Sequence, residues 1–188
     1  DKVRPPFTVP ANGGLFHAAH LFKSAAVQGK EGWIVMIRKI EERDREVFLR
    51  LSQEFYSSEA VLHPVPVKHH LDAFGELMRS EEYALGFLFE REGEAVGYAL
   101  CAVTYSREAG GKVLWIEEVY VNGACRGAGI GGEFFRFIEG YARERGFARL
   151  RLETEPSNVR ARALYARHGF CPLEYVQMVL ELDGEKGE

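Results

Sequence analysis

The chain has 188 residues, 46% hydrophobic and 28% charged, with a formal net charge of −4: enough for one well-buried core and too little for two ordinary domains. No apolar run nears the ~20 residues of a membrane span, and a net-acidic chain argues against general nucleic-acid binding. Three cysteines, Cys101, Cys125 and Cys171, lie far apart with no C-x-x-C pair, so neither a disulfide framework nor a zinc site is suggested.

Residues 1–35 are rich in Pro, Gly and Ala and show no sustained period, so they read as an N-terminal extension outside a core of 36–188, a leader or an arm that docks on a partner subunit. His17, His20 and Lys23 interrupt its most apolar stretch, which excludes a secretory signal pattern and sets the expectation of a cytoplasmic protein without membrane contact. A strand over 33–40, rich in β-branched residues, leads into a helix over 41–57 with Val47, Phe48, Leu51, Phe55 and Tyr56 at helical spacing. Pro64 and Pro66 make 58–66 a loop. A second amphipathic helix follows over 67–79, then strands over 84–90 and 95–105 joined by a turn at 91–94, and a strand over 112–121. Beyond a glycine-rich loop come a helix over 130–145, a strand over 148–153, a helix over 158–168 and a last strand over 175–182. The order β-α-α-β-β-β-α-β-α-β predicts a mixed α/β domain, antiparallel hairpins feeding one parallel crossover around the loop.

That loop, Arg126-Gly127-Ala128-Gly129-Ile130-Gly131-Gly132, packs four glycines into six residues between a strand and a helix. Glycines so placed leave several backbone N–H groups bare at a helix N-terminus, where they attract phosphate. The stretch also satisfies G-x-G-x-x-G, with Glu153 about twenty residues on where a dinucleotide fold places its ribose-binding acid. A dinucleotide loop, however, turns directly off its strand and opens a series of βαβ units, whereas here residues 122–126 intervene and 56 residues remain after Gly132. A P-loop fails because Glu133, not Lys, follows the last glycine. Residues 126–168 carry nine arginines against five glutamates, a local +4 that leaves −8 for the rest. One end of the chain suits an anion and the other a cation.

Two spaced motifs carry a resemblance to a known family. Arg126-x-x-Gly129-x-Gly131 after a strand ending in Val121, and Asn158-Val-Arg-Ala161-Arg-Ala-Leu164-Tyr165-Ala-Arg167-His-Gly169-Phe170, together resemble the signatures of the GNAT superfamily of acyl-CoA N-acyltransferases over residues ~34–183. The local run from Thr104 to Val121 is similar to the diamine and polyamine acetyltransferase branch. The resemblance implies a mostly antiparallel, splayed sheet flanked by helices, acetyl-CoA as co-substrate, no metal, a small amine as acceptor and a homodimer. It implies that the amides of residues 126–132 hold the coenzyme A pyrophosphate. The main chain at Val119 and Val121 then pairs with the pantetheine arm, and Asn158 and Arg167 belong to the coenzyme site. Asn158 suits a helix N-cap equally well, and the two roles can coexist.

For the chemistry, the resemblance implies that Tyr165 protonates the leaving thiolate, to which a phenol with pKa near 10 can donate; a packing residue beside Leu164 is the alternative. The attacking amine must lose a proton, for which the resemblance to the diamine and polyamine acetyltransferase branch makes Glu117 the first candidate and Glu118 the second. Regular strand alternation sends the two to opposite faces, so at most one faces the cleft unless a bulge intervenes. Cys125 has no histidine in a matching sequence context and is not expected to act as a nucleophile. His63, His69 and His70 either line the cleft or lie exposed, with no metal-ligand spacing. An acyl-CoA sensor without turnover, or a protein or peptide N-acetyltransferase, are the competing functions.

Overall fold

The computed structural model describes residues 24–28, 34–58, 61, 63–180 and 182. Six strands form one sheet in the order β1-β2-β3-β4-β5-β6: β1 Ser24–Gln28, β2 Ile34–Lys39, β3 Ala84–Arg91, β4 Glu94–Ser106, β5 Gly111–Val121 and β6 Arg149–Leu152. All neighbours are antiparallel except β5 and β6. Helices α1 Arg45–Tyr56 and α2 Val67–Arg79 lie between β2 and β3, α3 Ile130–Glu144 between β5 and β6, and α4 Val159–Arg167 after β6.

Alternation along the strands divides the core in two. Phe87 and Phe89 point to one face, where they meet Phe134, Phe137 and Tyr141 of α3; Leu88 between them points to the other, with Phe48 and Leu51 of α1 and Phe74 of α2. Because β3 is buried on both faces, its run Leu85 to Phe89 is apolar apart from Gly86. A bidentate pair from Arg38 to Asp44 (2.6 and 2.8 Å) ties β2 to the turn that starts α1, and the same guanidinium reaches Glu90 on β3 at 2.6 Å.

Two findings depart from the expected order. Ser24–Gln28, inside the stretch read as an extension, pairs with β2 from Ser24↔Arg38 to Gln28↔Ile34; residues 1–23 and 29–33 of that stretch lie outside the described residues. The strand expected over 175–182 does not form among its described residues, and Tyr175, Val176, Met178, Val179, Leu180 and Leu182 are exposed. Composition made that segment strand-like, but a strand needs an edge to pair with, and composition does not supply one.

Candidate active site

The site grows from irregularities in β5. Leu100 of β4 opposes Glu118, yet Cys101 opposes Ile116, which leaves Glu117 as an extra residue, a β-bulge. The bulge reverses the facing of the strand. Leu114 and Ile116 pack on the α3 side, whereas beyond the bulge Tyr120 packs on the α1–α2 side. The parallel pairing with β6 stops at Ile116↔Leu152, so among the described residues no strand lies beside the edge of β5 from Glu117 to Val121 on that side. The sheet opens there.

A cavity of about 1610 Å³ occupies the opening, and Glu117, Glu118 and Tyr165 all line it. Both acids line the cavity because a bulge does intervene and cancels the alternation that would have sent them to opposite faces. Glu118 is held hard: Tyr56 Oη donates to its Oε1 at 2.8 Å and Tyr98 Oη to its Oε2 at 2.5 Å. Burial pushes its carboxyl above the usual range, against the pull of those two hydrogen bonds. Glu117 is open to solvent as a residue, and its carboxyl is also raised, by partial desolvation and then by the charges of Glu153 and Glu118. Its exposure makes the two charges the firmer cause.

Tyr165 is half-buried on α4, its ring 5.2 Å from Phe135 and 6.1 Å from Phe170. Burial raises its phenol, so it holds its proton at neutral pH, and no described residue hydrogen-bonds its hydroxyl.

The glycine loop begins where β5 ends. Asn122 caps the turn Gly123–Cys125 by accepting from the Ala124 N–H at 3.0 Å. The Arg126 amide is already engaged with Gly123 O, and its Nε donates back to Val121 O at 3.0 Å. Gly127 and Gly129 sit at φ +90° and +91°, a region costly to any other residue. From Gly127 to Gly132 no amide N–H meets an acceptor among the described residues, and these groups stand at the start of α3, as an anion requires. Ile130 is buried in the core and anchors the loop, and Ala128 packs against it. A Cβ on Gly131 would lie 3.3 Å from Leu164 Cδ2, so the small residue lets α4 pack close to the loop. That contact joins the two sequence motifs.

Asn158 caps α4, its Oδ1 accepting from the Ala161 N–H at 3.1 Å. Asn158 and Arg167 are exposed, and neither they nor residues 119–132 line the cavity. Val119 and Val121 pair with Ala99 and Gly97 on the β4 side. Cys125 is half-buried and the other cysteines are free as well. Of the histidines, His63 lines the cavity, His69 is exposed and His70 is buried. Among the described residues no three His, Cys, Asp or Glu side chains converge to hold a metal, and no helix is long and apolar enough to cross a membrane. Sequence reading missed Tyr56, Tyr98 and Phe55, which look like helix- and strand-face packing residues, and placed Glu153 only in the discarded dinucleotide reading.

Residues 45–170 match the Acetyltransferase (GNAT) family. Thialysine N-epsilon-acetyltransferase of Bos taurus is 31% identical over 143 residues, 72% of this chain and 83% of that protein. Mycothiol acetyltransferase of Jonesia denitrificans is 38% identical over a shorter stretch, 37% of this chain and 23% of that protein. Among solved structures, AAC(6')-Iy in complex with the bisubstrate analogue CoA-S-monomethyl-acetylneamine shares the fold with a TM-score of 0.67 at 18% identity, over 79% of this chain and 99% of that one. An integron cassette protein from the mobile metagenome of Cole Harbour Salt Marsh reaches 0.69 at 24% identity, over 79% and 91%. With its splayed sheet, bare-amide loop and family match over two thirds of its length, this chain belongs to the GNAT family of acetyltransferases.

Proposed function

We propose that the protein moves an acetyl group from acetyl-CoA to a primary amine of a small cationic molecule, by direct attack within a ternary complex. The observation that carries this reading is the meeting of the Glu117–Glu118 pair and the Tyr165 phenol on one cavity where the edge of β5 is free. The amides of Gly127 to Gly132 hold the pyrophosphate, with Arg126, Asn158 and Arg167 at the margins, and the open edge at Val119 and Val121 offers main-chain groups to the pantetheine arm. Arg143, Arg149, Arg151 and Arg162 line the cavity together with Glu117, Glu118, Glu139, Glu153 and Glu155, so it carries charges of both signs.

Glu117, the first candidate, and Glu153 draw in the ammonium, and Glu118, the second candidate, half-buried and with raised proton affinity, takes its proton. The neutral nitrogen attacks the thioester carbon, the C–S bond breaks, and Tyr165 donates to the departing sulfur. Val61 and His63 from the loop between α1 and α2 form part of the wall, which favours a small acceptor over a protein chain. The free cysteines suit the cytoplasm. A homodimer would use the unpaired edge of β6 and the exposed apolar residues Tyr175 to Leu182, and sedimentation of a chain ending at residue 173 tests it. The reaction is tested by calorimetric titration of acetyl-CoA and thiol release with diamines, amino acids, aminoglycosides and peptides. Binding with release on a cationic amine is expected; binding without release on any amine would make the chain a sensor, and no binding would overturn the reading of the loop.

A further inference from the structure

Glu118 is held by neutral donors. Tyr56 Oη, at the end of α1, donates to one of its carboxylate oxygens at 2.8 Å, and Tyr98 Oη of β4 donates to the other at 2.5 Å. Among the described residues no lysine or arginine bonds to it. Both phenol rings are clamped in turn. Phe48 and Phe55 meet the Tyr98 ring edge-on at 5.5 and 6.4 Å. Phe55 and His70 meet the Tyr56 ring edge-on, each at 5.3 Å, and His70 Nδ1 is fixed 2.7 Å from Ser52 Oγ. Tyr98 is fully buried, whereas Tyr56 lines the cavity beside Glu118.

Packing does not account for the two hydroxyls. Phenylalanine would fill both positions with the same rings, and a buried hydroxyl recovers through pairing only about what its desolvation costs. What the hydroxyls add is orientation. Each carboxylate oxygen has two lone pairs, so one donor on each leaves one open on each. An arginine or lysine in their place would fix the carboxylate but hold the proton off it, and water would leave it free to turn. Resting on the reading of Glu118 as acceptor of the amine's proton, we infer that Tyr56 and Tyr98 are positioning residues for the reaction: with one hydrogen bond to each oxygen, they fix the Glu118 carboxylate so that an open lone pair meets the amine in the cavity. The N–H bond of the ammonium breaks and a Glu118 O–H bond forms at that lone pair. Neither phenol gives up its own proton in the step.

Burial pushes the Glu118 carboxyl up, and the two hydrogen bonds pull it down. The groups facing it are Tyr56 of α1, Tyr98 of β4 and Glu117 of its own strand. Removing either hydroxyl leaves burial less opposed and raises the pH at which Glu118 loses its proton. Tyr120 supplies the comparison, since its ring lies 6.1 Å from that of Tyr98 but its hydroxyl donates to Glu54.

The test has two arms on the full chain. Carbon NMR of ¹³C-glutamate-labelled protein, with the Glu118 signal identified by its loss in Glu118→Gln, reads the carboxyl without turnover. Tyr56→Phe and Tyr98→Phe are each expected to move its midpoint up by about one pH unit, and Tyr120→Phe to leave it in place. In the second arm, the acid limb of kcat moves up with the midpoint in the first two variants. Their kcat at neutral pH falls about tenfold and recovers as pH is raised, with KM for acetyl-CoA changed less than about twofold. A midpoint or an acid limb that overlays the wild type in Tyr56→Phe or in Tyr98→Phe, whatever happens to Tm, would overturn the proposal. Tyr56 is half-buried, so its variant decides the matter even where Tyr98→Phe fails to fold. Wild-type protein that releases no thiol with any amine, or Glu118→Gln that keeps full turnover, instead refutes the parent reading, while the carbon titration still reads the hold of the two phenols.

Discussion

Helices α3 and α4 both lean on the site, yet they are built on opposite terms. α3 buries eight of its residues, four of them phenylalanine or tyrosine, against the sheet, whereas α4 buries none. The helix that supplies the proposed acid is therefore the one the fold depends on least. α4 is held by Leu164 against Gly131, by Tyr165 and Phe170 around Phe135, and by its Asn158 cap. The chain invests its apolar area in α3 and keeps the chemistry on a lightly attached neighbour, as functional elements often are.

The contrast can be broken first at its strongest point. Phe134→Ala, at a fully buried ring 5.2 Å from Phe89, is expected to cost ~3–5 kcal/mol in urea unfolding. A cost below about 1 kcal/mol would mean that α3 is not the stabilising partner.

Glu118→Gln comes next, and its two effects have opposite signs. Turnover should fall about 10²-fold with acetyl-CoA affinity kept. Because the folded carboxyl titrates above its unfolded value, the fold binds that proton more tightly than the unfolded chain does. Its stabilising contribution is thus present below the ordinary carboxylate range and lost as pH rises through the raised value. The variant escapes that loss, so its stability relative to wild type should climb as pH rises above the ordinary carboxylate range, as Tm against pH will read. A flat difference would place Glu118 in an ordinary environment.

The smallest effect belongs to α4. Asn158→Ala removes the bond to the Ala161 amide and should lower stability by ~1 kcal/mol, with Asn158→Asp nearly restoring it. If acetyl-CoA affinity falls far more than stability does, Asn158 meets the coenzyme as well as capping the helix.

Much of this was legible in the chain. α2 runs over the predicted span, since its apolar residues keep helical spacing and Pro66 precedes it. The β3–β4 turn was marked by Gly93, with Glu92 and Gly93 both at positive φ. What was hidden depends on pairing between distant segments. The bulge at Glu117 exists only in the register with β4, and local sequence gives no sign of it. Tyr56, Tyr98, Ser52 and His70 read as packing or surface residues until four elements fold together. β1 lacks a pattern of its own because its partner strand, β2, supplies the order.

The central claim is that Tyr165 on its lightly held helix donates to the leaving thiolate, and Tyr165→Phe tests it most directly. The hydroxyl has no hydrogen-bond partner among the described residues, so its loss should leave Tm and acetyl-CoA affinity unchanged while steady-state thiol release on a cationic amine drops about 10²-fold. Unchanged release would show that Tyr165 only packs against Phe135, and the assignment of the acid would fall.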